Sequence, residues 1–431
     1  MRLLTLFVFL IAGCAPSASD TPPAAPVVEE VRTEAPEPAV RVGAAVLADS
    51  GFSILKGKRV GLIVNHTAMV GGEHLIDLVH RAPGVELTAL FGPEHGLRGT
   101  ADAGAHVSDE RDEKTGVRIY SLYGRTNRPT PEMLEEVDVL VFDVQDVGAR
   151  FYTYISTMGL AMQAAAEARI EVVVLDRPNP LGGELVSGWL LDPAHTSFVG
   201  QYPIPVAHGM TVGELARMIQ GERMLSGLEN LNLTVVPMDG WTRSMQWPET
   251  GLPWIAPSPN IPDFETALVY PGSCFFEAAS ASEGRGTLEP FRLLGAPWAD
   301  GQALADRLNG YGLPGVVFEP ATFTPRSIEG MATNPRLAGR QLQGIHLVVS
   351  DRTTFKPVET GVHLLHAFLE QAKQERINNL IDRPDWLAKL AGTDSLYEML
   401  QQGTPPDAIV ETWRDDVEVF LQKRKPYLLY E

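Results

Sequence analysis

The 431-residue chain holds two cysteines, 35 basic residues against 54 acidic ones, and no apolar run of bilayer-spanning length. Each scarcity excludes something. Two cysteines, Cys14 and Cys274, cannot supply a disulfide framework. A net charge of −19 without a basic stripe argues against nucleic acid, because phosphate contacts need clustered Lys and Arg. The lack of a second apolar stretch after the N-terminus argues against multiple membrane spans. Motif absences narrow the field further. Neither G-x-G-x-x-G after the first strand nor a P-loop is present, which disfavours a nicotinamide or ATP enzyme. G-x-S-x-G and H-E-x-x-H are missing too, which disfavours an α/β-hydrolase and a zinc peptidase. No cofactor and no metal is expected, although a scattered set of Glu94, His95, Asp143 and His208 stays open as a metal alternative.

The N-terminus, MRLLTLFVFLIAGC, has one Arg, a short apolar run and small residues before Cys14. Residues 1–13 are laid out as a secretory signal peptide and are too short for a span. Ile11-Ala12-Gly13-Cys14 resembles the lipobox of bacterial lipoproteins, which implies cleavage before Cys14 and diacylation of its sulfur. Ala15 rather than Asp follows, so in a Gram-negative cell the expectation is the outer membrane, facing the periplasm. Residues 14–42 are rich in Pro, Ala and Glu, cannot bury a core and read as a tether. Cys274 is then left without a partner and is expected to be a small buried apolar residue.

The chain as a whole is 44% hydrophobic, and its folded part shows a regular alternation of apolar strand-like runs with helical patterns. Strands are expected at 59–64, 85–91, 117–122, 137–144, 171–176 and 231–236, with helices at 74–81, 152–168 and 211–220. Thr211 followed by Glu214 is a capping-box pattern. Near-continuous apolar strands separated by helices predict an α/β domain with a Rossmann-like parallel sheet over 43–250. A smaller α+β domain is expected over 251–431. Its strands are read near 267–270 and 344–350, and its helices near 300–309, 361–374 and 407–423.

In an open parallel sheet, ligands bind outside the carboxyl ends of the strands. Four such ends carry polar clusters: Asn65-His66-Thr67, Gly92 to Gly96, Asp143 to Asp146, and Asp176 to Pro180. Glu94 follows Pro93 just past an apolar strand, where partial desolvation would keep a carboxyl protonated for general-acid work. Capping of a following helix, or pairing with Arg98, is the structural alternative. Asp143 and Gln145 share a strand face, with Asp146 at the turn, and either aspartate suits stabilising positive charge or capping a helix. Tyr152 and Tyr154 suit stacking on a sugar face, or packing. Ser282-Glu283-Gly284-Arg285-Gly286-Thr287 places an Arg between glycines, suited to close backbone approach or simply to a tight loop.

Eight segments resemble one family: GPEHG (92–96), FDVQDVGARFYTYISTM (142–158), LDRPNPLGG (175–183), PVAHGMTVGELA (205–216), PSPNIP (257–262), YPGSCFFE (270–277), SEGRGT (282–287) and the run at 346–365. Together they look like the NamZ-type exo-β-N-acetylmuramidases, glycoside hydrolase family 171, long carried as a domain of unknown function. The resemblance runs from about residue 43 to the C-terminus. It implies a Rossmann-like domain and a smaller C-terminal domain that completes a cleft. It also implies release of terminal non-reducing N-acetylmuramic acid from peptidoglycan-derived glycan, with Glu94 as acid/base. The lactyl carboxylate of that sugar calls for a cation, for which Arg150, Arg177 and Arg285 are candidates. Its amide calls for partners such as Asn65, Asn179 and Asn260. His95, Gln145, Tyr152, His208 and Glu283 complete the expected site, and Asp143 or Asp146 would serve as second carboxylate or orient the 2-acetamido group. Two competing readings remain: a non-catalytic lipoprotein that binds muropeptides, and a metal-dependent hydrolase of another envelope substrate.

Overall fold

The computed structural model describes residues 39–94, 97 and 111–431. Cys14, the tether up to residue 38, and His95 lie outside the described residues.

Strands β1 (Arg59–Val64), β4 (Glu86–Gly92), β5 (Arg118–Ser121), β6 (Val139–Asp143), β7 (Glu171–Leu175) and β8 (Leu233–Val236) form one sheet, with a small hairpin β2 (Met69–Val70) and β3 (Glu73–His74) outside it. The sheet order is β5-β4-β1-β6-β7-β8 and every pair is parallel. With the hairpin set aside this is the doubly wound order 3-2-1-4-5-6. The apolar runs are continuous because both faces are covered. Val60, Leu62 and Val64 of β1 pack with α1 (Gly43–Asp49) and α2 (Leu75–His80). Ile63 points the other way, into the core with α3 (Tyr154–Ala168) and α4 (Val212–Gly221). The expected capping box at α4 is present: Thr211 Oγ1 accepts from Glu214 N at 3.2 Å, and the Glu214 carboxylate accepts from Thr211 N at 3.1 Å.

The second half contains α5 (Trp247–Thr250), α6 (Phe264–Ser273), β9 (Leu293–Ala296), α7 (Gly301–Gly310), β10 (Val316–Phe323), β11 (Leu342–Val349) and α8 (Pro357–Gln374). Helices α9 (Pro384–Ala391), α10 (Ser395–Gln401), α11 (Pro406–Glu411) and α12 (Arg414–Arg424) follow. Its sheet is antiparallel, ordered β10-β11-β9. Two expectations need correction. Residues 267–270 are helical, not a strand: Asp263 caps α6 by accepting from Thr266 N at 2.7 Å, and a four-residue apolar run does not distinguish the two states. The helix expected over 407–423 is two helices, with buried Trp413 between them. Strands β9 and β10 were not anticipated.

The two halves share a continuous core, which runs from Ile63 and Phe142 of the parallel sheet to Phe275, Phe276 and Phe368 of the second half. Helices α6 and α8 cross at a glycine pair. A Cβ on Gly272 would lie 1.9 Å from the Pro357 carbonyl oxygen, so nothing larger permits that approach.

The chain end straps the two halves together. The Tyr430 hydroxyl donates to Asp176 Oδ2 at 2.6 Å and accepts from Met238 N at 2.9 Å. Leu429 N donates to Glu214 Oε1 at 2.9 Å. Asp176 sits fully buried at the end of β7, and burial raises its pKa to about 6 against the hydrogen bonds that favour its charge. Replacing Tyr430 by Phe leaves that carboxylate short of a donor. The variant should lose about 1–3 kcal/mol of unfolding free energy, read from urea denaturation; an unchanged midpoint would mean that the strap carries no stability.

Candidate active site

A cleft of about 230 Å³ opens at the carboxyl ends of β4, β5 and β6. The first half lines it with Glu94, Tyr123 and the turn Phe151-Tyr152-Thr153-Tyr154 that leads into α3. The second half faces these with Asn260, Tyr270, Glu277, Arg285 and Trp386, among others. Ligand pockets commonly run to roughly 300–1,000 Å³, so this one is sized for a single ring. Its walls are mainly aromatic. Tyr152 meets Tyr154 edge-on at 5.0 Å and Tyr270 at 6.0 Å.

Two carboxylates face the cleft, and their surroundings differ. Glu94 is half-buried, and its Oε2 accepts from the Thr153 hydroxyl at 3.1 Å. It also hydrogen-bonds the Tyr123 hydroxyl, whose pKa is pushed up to about 12 by burial and by the Glu94 charge. Glu277 has both oxygens occupied: Oε1 accepts from Arg285 Nη2 at 2.5 Å and Oε2 from Trp386 Nε1 at 3.2 Å. Arg285 in turn lies 3.4 Å from Glu283 and 5.1 Å from the centre of the Phe291 ring. Burial alone would lower the Arg285 pKa, but Glu277 and Glu283 outweigh it and raise it. Burial raises the Glu283 carboxyl, opposed by Arg285. Cys274 is buried in the same wall, and burial pushes its thiol well up.

Of the expected site residues, Glu94, Tyr152, Asn260 and Arg285 line the cleft. Asn260 fixes its amide nitrogen on the Met331 carbonyl at 2.7 Å, which leaves Oδ1 buried without a partner. The other described candidates do not line it. Asp143 is held at both oxygens by Arg177, at 2.5 and 2.9 Å, in a fully buried pair. Gln145 donates to the carbonyls of Asp146 and Pro178. Asp146 accepts from Gly148 N at 2.7 Å and lies 3.7 Å from His208 Nε2, and its Oδ1 has no partner. Asn65 holds the Tyr154 hydroxyl at 3.1 Å, and Asn179 closes its own loop onto Leu181 N and the Met210 carbonyl. Glu283 lines an adjoining chamber instead.

Arg150 is the least expected of these. Its guanidinium is fully buried and donates to three carbonyls: Trp189 at 2.7 Å, Ile204 at 2.8 Å and Leu390 at 2.9 Å. Burial lowers its pKa to about 9. It braces the cleft from behind and is not available to a substrate anion. Sequence reading missed Tyr123, Thr153, Glu277 and Trp386. Glu277 closes the YPGSCFFE segment and was within reach of that signal; nothing local marks Tyr123 or Trp386. Among the described residues no three His, Cys, Asp or Glu side chains converge as a metal site requires.

With this geometry in place, comparison with known proteins is informative. Family models described as exo-beta-N-acetylmuramidase NamZ match residues 60–265 (N-terminal) and 268–430 (C-terminal). The chain belongs to the NamZ family. A curated relative, the peptidoglycan beta-N-acetylmuramidase NamZ of Bacillus subtilis (strain 168), is 42% identical over 99% of each chain. Two crystal structures of DUF1343 family proteins from Bacteroides fragilis NCTC 9343 share the fold. One has a TM-score of 0.84 at 39% identity and covers 92% of this chain and 100% of its own. The other has a TM-score of 0.74 at 36% identity and covers 91% and 99%.

The bracing role of Arg150 has a measurable consequence. Arg150→Met strips a donor from each of three buried carbonyls, at about 1–3 kcal/mol each before relaxation. The variant should therefore unfold at a clearly lower urea concentration than the wild type, by about 3–5 kcal/mol in free energy. Wild-type stability in that variant would show the three contacts to be incidental.

Proposed function

We propose that the protein is an exo-acting glycoside hydrolase that releases terminal non-reducing N-acetylmuramic acid from peptidoglycan fragments, with Glu94 as general acid/base. Family membership and 42% identity to a peptidoglycan beta-N-acetylmuramidase support the substrate class. A ring-sized, aromatic cleft enclosed by both halves suits a single terminal sugar. The observation that carries Glu94 is the contrast between the two cleft carboxylates. Glu277 is tied to the Arg285 guanidinium and the Trp386 indole N–H, whereas the partners of the Glu94 side chain among the described residues are hydroxyls, Thr153 and Tyr123. A general acid must reach the glycosidic oxygen with a transferable proton, and only the less committed group has that freedom. Asp143, committed to Arg177, is poorly suited to act on the sugar.

Glu94→Gln should keep the wild-type circular dichroism and melting curve. It should lower kcat on 4-nitrophenyl N-acetylmuramide by roughly 100-fold to 10,000-fold, the range removed with a general acid. Full activity in that variant would take the acid role away from Glu94. Muropeptide binding without turnover in the wild type would instead favour the non-catalytic reading.

We also propose that the enzyme is a lipoprotein of the bacterial cell envelope, cleaved before Cys14 and tethered by residues 14–42. The apolar run ending in Ile11-Ala12-Gly13-Cys14 supports this, as does the Pro- and Glu-rich stretch after it. In cells, the full-length chain should sediment with membranes and Cys14→Ser should shift it to the soluble fraction. Equal partitioning of the two would refute the anchor.

A further inference from the structure

A second chamber of about 560 Å³ adjoins the cleft and shares Asn260, Glu277 and Arg285 with it as a common wall. Three guanidiniums line that chamber, Arg285, Arg336 and Arg383, against two carboxylates, Glu277 and Glu283. In a chain of net charge −19 this is a local excess of positive charge. The three cations are not equally available. Arg285 is held by both glutamates. Arg336 has one partner, Asp382 at 2.7 Å, in a partly exposed pair of the kind that exchanges readily with water. Arg383 is exposed and makes no ion pair or side-chain hydrogen bond among the described residues. It also stands three residues before Trp386, which lines the cleft from α9, so one short segment joins the free cation to the sugar pocket. At the shared wall the Asn260 amide is oriented by Met331, and its buried Oδ1 lacks a donor.

We propose that this chamber is the subsite for the carboxylate of the terminal sugar, with Arg383 its principal partner and Arg336 its second, while Asn260 Oδ1 accepts an N–H or O–H of the same ring. The proposal rests on the muramidase reading, and it moves the anion from Arg285 to residues that sequence patterns did not single out. An anion placed on Arg285 would sit against two carboxylates, Glu277 and Glu283; one placed on Arg383 has Asp382 beside it, a single carboxylate already paired with Arg336.

The test uses the full chain and calorimetric titration with N-acetylmuramic acid, its methyl ester and N-acetylglucosamine. The wild type should bind the free acid best. Arg383→Gln should weaken binding of the acid by roughly 10-fold to 100-fold, the loss expected for one charge-assisted hydrogen bond, and leave the ester and N-acetylglucosamine unchanged. Arg336→Gln should act in the same direction and more weakly. Both positions are exposed or partly exposed, so melting curves should not move. Wild-type discrimination in the Arg383→Gln/Arg336→Gln double variant would overturn the assignment, as would equal losses for acid and ester, or no binding of any of the three by the wild type. A wild type that discriminates in this way but hydrolyses nothing would uphold the chamber and remove the hydrolase reading.

Discussion

Arg150 carries a charge that the fold buries completely and pairs with no carboxylate among the described residues. Burying an ion is expensive unless its donors are satisfied, and here three carbonyls take up the two Nη groups, while Nε stays buried without a partner among the described residues. The arrangement fixes geometry because the carbonyls come from two separate stretches of the chain. Trp189 and Ile204 come from the long loop after β7, and Leu390 comes from α9, which also lines the cleft. Arg150 itself immediately precedes Phe151 to Tyr154. Three stretches of chain around the pocket are thereby referred to one rigid planar group. Gly392 follows from it: a Cβ there would lie 2.5 Å from the guanidinium, and the residue has φ of +85°. The Tyr430 strap and the glycine crossing of α6 with α8 serve the same end, since a cleft assembled from both halves works only if the halves do not separate.

Electrostatics then sorts the acidic groups. The carboxylates around the cleft are mostly committed: at the strand ends Asp143 to Arg177 and Asp176 to Tyr430, Thr211 and two backbone amides, and after α6 Glu277 to Arg285 and Trp386. A committed carboxylate organises structure because moving its proton or charge would break the contacts that hold it. Glu94 stands apart: among the described residues its side chain has only hydroxyl partners, Thr153 and Tyr123. Hydroxyls can donate or accept as the carboxyl changes its protonation, so they steady the group without locking it in one state.

The first half was far more readable than the second. Its central strands β1, β6 and β7 are almost wholly buried, so their sequences are unbroken apolar runs such as VDVLVFDV, and α4 announces itself by a capping box. In the second half, β10 alternates buried and exposed residues, carries a proline, and lies beside an equally mixed β11, so its pattern is diluted. The segment around Leu268 is helical because Asp263 caps it and α8 packs on it, neither of which a four-residue apolar run reveals.

By itself the sequence determined the doubly wound sheet, the acidic character and the position of Glu94 at a strand end. All of these are local: they follow from runs of adjacent residues whose burial or chemistry does not depend on distant partners. It also resembled a family strongly enough to name the sugar. Tertiary structure alone decided which polar residues face the cleft. Asp143, Arg150 and Arg285 look alike as candidates in a linear chain, and only their partners separate them: a buried guanidinium for the first, three carbonyls for the second, two glutamates for the third. Those partners lie up to 240 residues away, as Leu390 does from Arg150, and pairing at that distance leaves no mark on the local pattern.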